Sequence, residues 1–283
     1  MDTPVAIVIV LYNPSLDQIQ RINSFADAKT LNCSLKLIIV DNSYKINYIE
    51  DSSNIYYISN RENKGIAYAQ NMGINKAKQL GCRFICFFDQ DSEYSIDYVE
   101  RIVNEYNEIK QNDKFIACLG PTIVDAATNN KNNTAGLFDK SYSKVDTIIS
   151  SGSIVEVDTV DIIGTMEDDL FIDLVDHEWC WRAKSFGYNC YQTSSVTLKH
   201  KVGICNGSIC GFPIIISAPF RYYYKYRNFI LMLRRSYVPF KWKAKNIIRK
   251  AVEFICIPII TKDTSIYKYM FNGIKDGLTT KSR

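Results

Sequence analysis

The chain has 283 residues, 47% of them hydrophobic and 23% charged, with a formal net charge of +4. This balance is that of a globular protein, and the length suits one large α/β domain or two small ones. No run of about 20 uncharged apolar residues occurs, so no spanning helix is expected.

The charge is unevenly placed. From Phe220 to Arg283 the balance is +12, and over the rest of the chain it is −8. An acidic body with a basic, aromatic tail suggests a tail that meets an anionic surface. Asp2 stands where a signal peptide would be basic, so a cytoplasmic protein is expected. The nine cysteines are scattered, and reduced thiols are the expectation.

In chain order, Val5 to Leu11 is a continuous β-branched run closed by Asn13-Pro14, which predicts a buried parallel strand and a turn. Ser15 can cap a helix running to about Leu31. Strands are predicted at 35–40, ending in Asp41-Asn42-Ser43, and at 55–59. A helix follows over 65–80, then a strand over 84–88 that delivers Asp89-Gln90-Asp91-Ser92, a helix over 96–110 and a strand over 115–119. Residues 125–140 read as a loop rich in Asn, Thr and Lys. Beyond Ser150-Ser151-Gly152-Ser153 lies an acidic patch, then a helix carrying Trp179, Trp181 and Arg182, and two strands at 189–193 and 196–200. From Phe220 onward the pattern predicts amphipathic helices, the first over 221–235.

Alternating strands and helices with short links predict a parallel βαβ sheet. Asn13, Asp41, Asn63, Asp89 and Asp91 all fall at carboxyl ends of strands, the edge where open α/β sheets bind ligands. In a strand, residues i and i+2 point the same way, so Asp89 and Asp91 could face one hard cation and, through it, a diphosphate. The phosphate loop G-x-x-x-x-G-K-[ST], the G-x-G-x-x-G fingerprint and G-x-S-x-G are all absent, and there are two histidines. What remains is a carboxylate-rich site. A nucleotide-sugar donor would need polar strand ends for its nucleoside (Asp41, Asn63, Asn71), a cation for its diphosphate (Asp89, Asp91) and a base for the acceptor hydroxyl. Asp176 can be that base if neighbouring carboxylates raise its pKa.

Five motifs, in order, carry a resemblance: Val8-Ile9-Val10-Leu11-Tyr12-Asn13; Val40-Asp41-Asn42-Ser43; Asn63-Lys64-Gly65-Ile66-Ala67 with Asn71-Met72-Gly73-Ile74; Phe88-Asp89-Gln90-Asp91-Ser92; and Phe171 to Arg182 with Lys199-His200-Lys201-Val202-Gly203. Together they resemble the family 2 glycosyltransferases of the GT-A fold, in the bacterial rhamnosyltransferase branch. The resemblance implies an α/β architecture with a Rossmann-like, mostly parallel sheet covered by helices. Its domain would span 1–219, with a nucleotide-sugar half at 1–120 and an acceptor half at 121–219, followed by a helical region at 220–283. It implies an inverting transfer of L-rhamnose from dTDP-L-rhamnose to a saccharide or lipid-linked saccharide, in cell-surface polysaccharide synthesis.

The resemblance also implies roles. Leu11, Tyr12, Asn13, Asp41, Asn42, Asn63, Gly65, Asn71, Asp89, Gln90 and Asp91 would surround the donor. Asp91, with Asp89 and His200, would hold Mg²⁺ or Mn²⁺. Asp176 would be the base, although Val175 stands where the family usually has Glu, so Asp173 and Glu178 stay as alternatives. Glu178 and Trp179 would border the acceptor. A UDP-sugar donor is the alternative within the family, and a nucleotidyltransferase the alternative outside it. For the tail, two expectations stand: an anionic membrane surface, or packing on the domain or in a homodimer.

Overall fold

The computed structural model describes residues 3–23, 33–47, 49, 53–92, 96–125, 141–200, 205–209 and 212–280. An eight-stranded sheet forms its centre. In chain order the elements are β1 (Thr3–Leu11), α1 (Leu16–Asn23), β2 (Cys33–Asp41), β3 (Ile55–Ser59), α2 (Ile66–Gln79), β4 (Phe84–Asp89), α3 (Ile96–Asn112), β5 (Ile116–Asp125), β6 (Tyr142–Val145) and β7 (Ile154–Glu156). Then come α4 (Val157–Ile163), a 3-10 turn at Asp168–Leu170, α5 (Val175–Ser185), β8 (Asn189–His200), β9 (Cys205–Ile209), β10 (Phe212–Ile215), α6 (Pro219–Leu233), α7 (Phe240–Thr261) and α8 (Ser265–Thr279).

The strand order is β3-β2-β1-β4-β7-β5-β8-β6. The pairs β3–β2–β1–β4 and β5–β8 are parallel. β7 is antiparallel to both β4 and β5, and β6 closes the edge antiparallel to β8. Helices cover both faces, so the strands are apolar on both sides. In β1, Val5, Ile7, Ile9 and Leu11 enter one core with α3, while Ala6 and Val8 enter the other with α2 and α5. β2 and β4 divide in the same way, with Leu37, Ile39, Phe84, Cys86 and Phe88 on the α3 side. On the other face α2 presses close to the sheet at Gly73, where a Cβ would lie 2.4 Å from the Val8 side chain.

Two details depart from the sequence reading, and two of its expected segments run outside the described residues. The two strands expected at 189–193 and 196–200 are one strand, β8, whose pairing with β5 jumps between Gly120↔Gln192 and Thr122↔Thr197. The extra residues form a bulge. Thr193 donates its hydroxyl to Glu105 (2.6 Å), and its Oγ1 accepts the Ser195 amide (2.9 Å). The expected helix to Leu31 is described only as far as Asn23, and the loop read over 125–140 lies outside the described residues beyond Asp125. β7 and α4 follow one another without a turn residue, and the sequence reading missed both.

The C-terminal helices pack on the body through α6. The buried Asn228 amide of α6 donates to the carbonyls of Leu170, Ile172 and Asp173 at 2.9, 2.8 and 2.9 Å. α8 lies close against α6 because Gly273 and Gly277 face it: a Cβ on Gly273 would sit 2.3 Å from the Tyr223 carbonyl.

Candidate active site

The parallel register sets the carboxyl ends of β1, β2 and β4 level. Leu11 lies opposite Asp41, and Val10 opposite Asp89. The chain leaves β4 at Asp89 in a turn, with the Ser92 amide donating to the Asp89 carbonyl at 3.0 Å. The expected strand-like alternation therefore does not extend to Asp91. Asp89 lines a cleft, while Asp91 is exposed on the turn. Between them, Gln90 accepts from the Tyr12 amide (2.8 Å) and donates to its carbonyl (3.4 Å), so it clasps the loop after β1.

The other donor-site candidates fall into two groups. Tyr12 is 43% exposed at the sheet edge, and Asn13, at φ 48°, donates its amide to Ser43 Oγ (2.8 Å). Asp41 is buried and accepts from the Ser43 amide (2.8 Å), Asn47 Nδ2 (2.7 Å) and the Tyr57 hydroxyl (2.6 Å). Burial pushes the Asp41 carboxyl up, but these donors more than offset it and hold its pKa below the usual value. Burial and the Asp41 carboxylate push the Tyr57 phenol to about 12.

The second group shapes the backbone. Leu11 is fully buried. Asn42 donates to the Gly65 carbonyl (2.9 Å), and Asn63 accepts from the Gly65 amide (3.1 Å). Gly65, at φ 85°, faces the Phe171 carbonyl, and a Cβ there would approach it to 2.6 Å. That carbonyl accepts from the Ile66 amide (2.7 Å) at the start of α2. Asn71 spends its amide group on Met166 (2.8 and 2.9 Å) and Asp168 (2.6 Å), joining α2 to the second half of the chain.

The second half completes the cleft. Phe171, Asp173 and Leu174 have φ of 62°, 67° and 67°, three left-handed non-glycine residues just before α5. Asn228 holds the carbonyls of Leu170, Ile172 and Asp173 in this segment, and Arg221 pairs with Asp173 at 2.6 Å. This segment places Asp176 in the first turn of α5, where the helix N-terminus favours a carboxylate. Asp176 Oδ1 accepts from the His177 amide and lies 2.9 Å from His177 Nδ1, and Oδ2 accepts from the Ser150 amide at 3.3 Å. Its side chain is 24% exposed, toward the cleft. Burial pushes its carboxyl up, but the His177 charge and these hydrogen bonds outweigh burial, so its pKa is lowered rather than raised as expected. Burial lowers His177, and Asp176 more than offsets this, so the imidazole pKa lies above 6.5.

The other carboxylates near Asp176 are engaged. Asp173 is paired with Arg221. Glu178 is fully buried and does not face the cleft: it pairs with Arg182 (2.9 Å) and Arg235 (3.3 Å) and accepts from the Tyr237 hydroxyl (2.7 Å). Trp179 is buried too, with its indole N–H donated to the Gly164 carbonyl at 2.8 Å. Trp181 is buried on a different side of α5, against Trp242 of α7, because that helix is covered all round. The backbone of His200 ends β8, and its side chain lies outside the described residues.

The cleft holds about 650 Å³. Asp89, Ser150, Ser151 and the segment 172–177 form one wall, and Arg221, Lys225, Trp242, Asn246, Arg249, Lys250 and Glu253 of α6 and α7 form the other. Burial pushes the Lys225 ammonium down to about 8, and its Nζ donates to Ser217 Oγ at 2.7 Å. Sequence reasoning missed this cationic wall. Its signal was the 242-246-249-250-253 spacing within the basic tail, a helical stripe.

The residues present suit a divalent cation in kind, Asp89 from the first wall and Asp91 from the exposed turn after β4. Asp89 and Asp91 offer the hard oxygen ligands that Mg²⁺ or Mn²⁺ take, with further positions left for phosphate and water. Among the described residues, one set of three His, Cys or carboxylate ligand atoms converges: the buried thiols Cys118, Cys180 and Cys190. Soft sulfur suits neither Mg²⁺ nor Mn²⁺.

The sheet, its covering helices and the cleft at the carboxyl edge define a GT-A glycosyltransferase fold. Two solved structures share it: GalNAc-T7 with UDP, GalNAc and Mn²⁺ (TM-score 0.55, 12% identity, 93% of this chain and 58% of that one) and S. aureus TarS 1-349 (TM-score 0.56, 12% identity, 99% and 81%). The model of glycosyl transferase family 2 matches residues 6–148. The dTDP-rhamnosyl transferase RfbF of Shigella flexneri is 30% identical over 265 residues, which is 88% of this chain and 86% of that protein. The chain belongs to glycosyl transferase family 2 and is a glycosyltransferase.

The Asp176–His177 pair makes a pH prediction. Protonated His177 stabilises the Asp176 carboxylate and weakens it as a base. As pH rises through the raised imidazole pKa, that charge is lost and Asp176 becomes more basic. If Asp176 is the base, kcat/KM rises through a transition above pH 6.5, and His177→Gln lacks that transition. The pair's contribution to stability runs the other way. The His177 part is fully present below pH 6.5 and fades as pH rises through its folded pKa; the Asp176 part fades as pH falls below 3.8.

Proposed function

We propose that this glycosyltransferase moves L-rhamnose from dTDP-L-rhamnose to a saccharide acceptor, free or lipid-linked, with inversion at C1, in the assembly of a cell-surface polysaccharide. The observation that carries this reading is that Asp89 and Asp176 line one cleft, which supports a diphosphate site beside a base. The similarity to RfbF supports the choice of donor.

In this reading Asp176 accepts the proton of the acceptor hydroxyl as its oxygen attacks C1. Asp173 and Glu178 are less suited, being committed to Arg221 and to Arg182 and Arg235. Asp89 and Asp91 would hold Mg²⁺ or Mn²⁺, which when bound neutralises the departing diphosphate. Because that charge is neutralised, the leaving group needs no acid, and one carboxylate suffices where a glycosidase uses two. The cationic wall adds countercharge from the opposite side of the cleft. Tyr12, Asn13 and the Asp41 network border the nucleoside.

Asp91→Ala is expected to weaken donor binding by at least about tenfold in the presence of Mn²⁺ and to leave metal-free binding unchanged. Calorimetric titration of the donor with and without the metal checks this. Equal losses in both conditions would remove Asp91 from the cation site.

A further inference from the structure

Helix α7 has two different faces. At about 100° per residue, Trp242, Asn246, Arg249, Lys250 and Glu253 fall on one side, and all five line the cleft. On the opposite side fall Phe240, Ile247, Ile248, Ile255 and Ile259, with Ala244 and Ala251 between them, and all are exposed. Phe240 is 81% and Ile259 66% exposed, where a helix packed in a core would bury such side chains. Lys241 and Lys245, both exposed, edge this apolar stripe in its first two turns, and the exposed Lys262 follows its end. The one carboxylate of α7, Glu253, is on the cleft side, paired with Arg249 and Lys250. Among the described residues no helix is long and apolar enough to cross a membrane.

We propose that the bare face of α7 seats in the surface of an anionic lipid bilayer, with the helix lying in the plane of the headgroups and the cleft on its far side. An apolar helix stripe rimmed by lysines, with the helix's own carboxylate on the other side, is complementary to such a surface. A second copy of the chain is a poorer occupant, because a two-fold contact through this face would bring the lysine rims together with no carboxylate between them. Seated this way, α7 is the partition between lipid and active site. Its outward side chains hold the protein at the bilayer while its inward ones line the reaction cleft. This rests on α7 alone and is independent of the sugar transferred.

The test uses the full chain with phosphatidylcholine vesicles that contain or lack phosphatidylglycerol, in a flotation assay. The wild type is expected to bind the anionic vesicles, less so in high salt. Ile248→Glu/Ile255→Glu should lower the partition coefficient by at least about tenfold. Lys241→Gln/Lys245→Gln should lower it roughly fivefold per lysine lost. Circular dichroism should show both variants folded, since the replaced side chains are exposed. Absence of wild-type binding to anionic vesicles would overturn the proposal, as would undiminished binding by the double glutamate variant. So would a wild-type dimer, seen by light scattering, that the same variant dissociates without a change in vesicle binding.

Discussion

Asp176→Asn is expected to lower kcat by about 10³-fold, within the range for loss of a positioned general base, while donor affinity changes by no more than about twofold. The substitution keeps the size of the side chain and one oxygen, which can accept from the His177 amide or the Ser150 amide but not both, while Asn228 and Arg221 still anchor the strained segment before α5. What it removes is the ability to take a proton at the cleft-facing oxygens. Single-turnover transfer and donor titration on the same preparation separate the two effects. If donor affinity is lost and turnover per bound donor is normal, Asp176 is a binding residue and the base lies elsewhere. The neighbouring carboxylates make the contrast sharp, because Asp173 is paired with Arg221 and Glu178 is sealed from the cleft.

Glu178→Ala is expected to fail in a different way, by destabilising the fold by about 3–5 kcal/mol. Glu178 is fully buried among Arg182, Arg235 and the Tyr237 hydroxyl, and Arg235 also pairs with Glu167 at 2.5 Å. This network ties α5 to the chain between α6 and α7. Removing the glutamate leaves two guanidinium groups facing a buried space with one carboxylate between them. Chemical denaturation should show the loss, and the folded fraction should retain kcat close to wild type. A stable variant with low kcat would instead return Glu178 to the acceptor site.

Much of the first half was legible because β1, β2 and β4 are covered on both faces. Such strands must be continuous apolar runs, and the polar residues that end them stand out. Asp89 stood out as such a strand end, while Asp176 was singled out by the resemblance; the structure sets both on one cleft. Less could be read where tertiary contacts decide a side chain's use. Asn42 and Asn71 have the chemistry to bind a nucleotide, but their amide groups are spent on Gly65 and on Met166 and Asp168. Glu178 sits two residues from Asp176, and its partner Arg235 is distant in sequence. Asp89 and Asp91 matched a strand's alternation, but the chain turns at Asp89. The tail gave its charge and its amphipathic pattern, while the second polar stripe of α7 gained meaning only when α6 and α7 were seen to wall the cleft.

The donor assignment is tested most directly by release of nucleoside diphosphate from a panel of dTDP-, UDP- and GDP-sugars, measured with Mg²⁺ or Mn²⁺ and with a chelator, for wild type and Asp176→Asn. The account predicts metal-dependent consumption of dTDP-L-rhamnose by the wild type and little by the variant. Turnover of a UDP- or GDP-sugar with none of dTDP-L-rhamnose, or turnover of dTDP-L-rhamnose unaffected by the chelator and by the loss of Asp176, would contradict it.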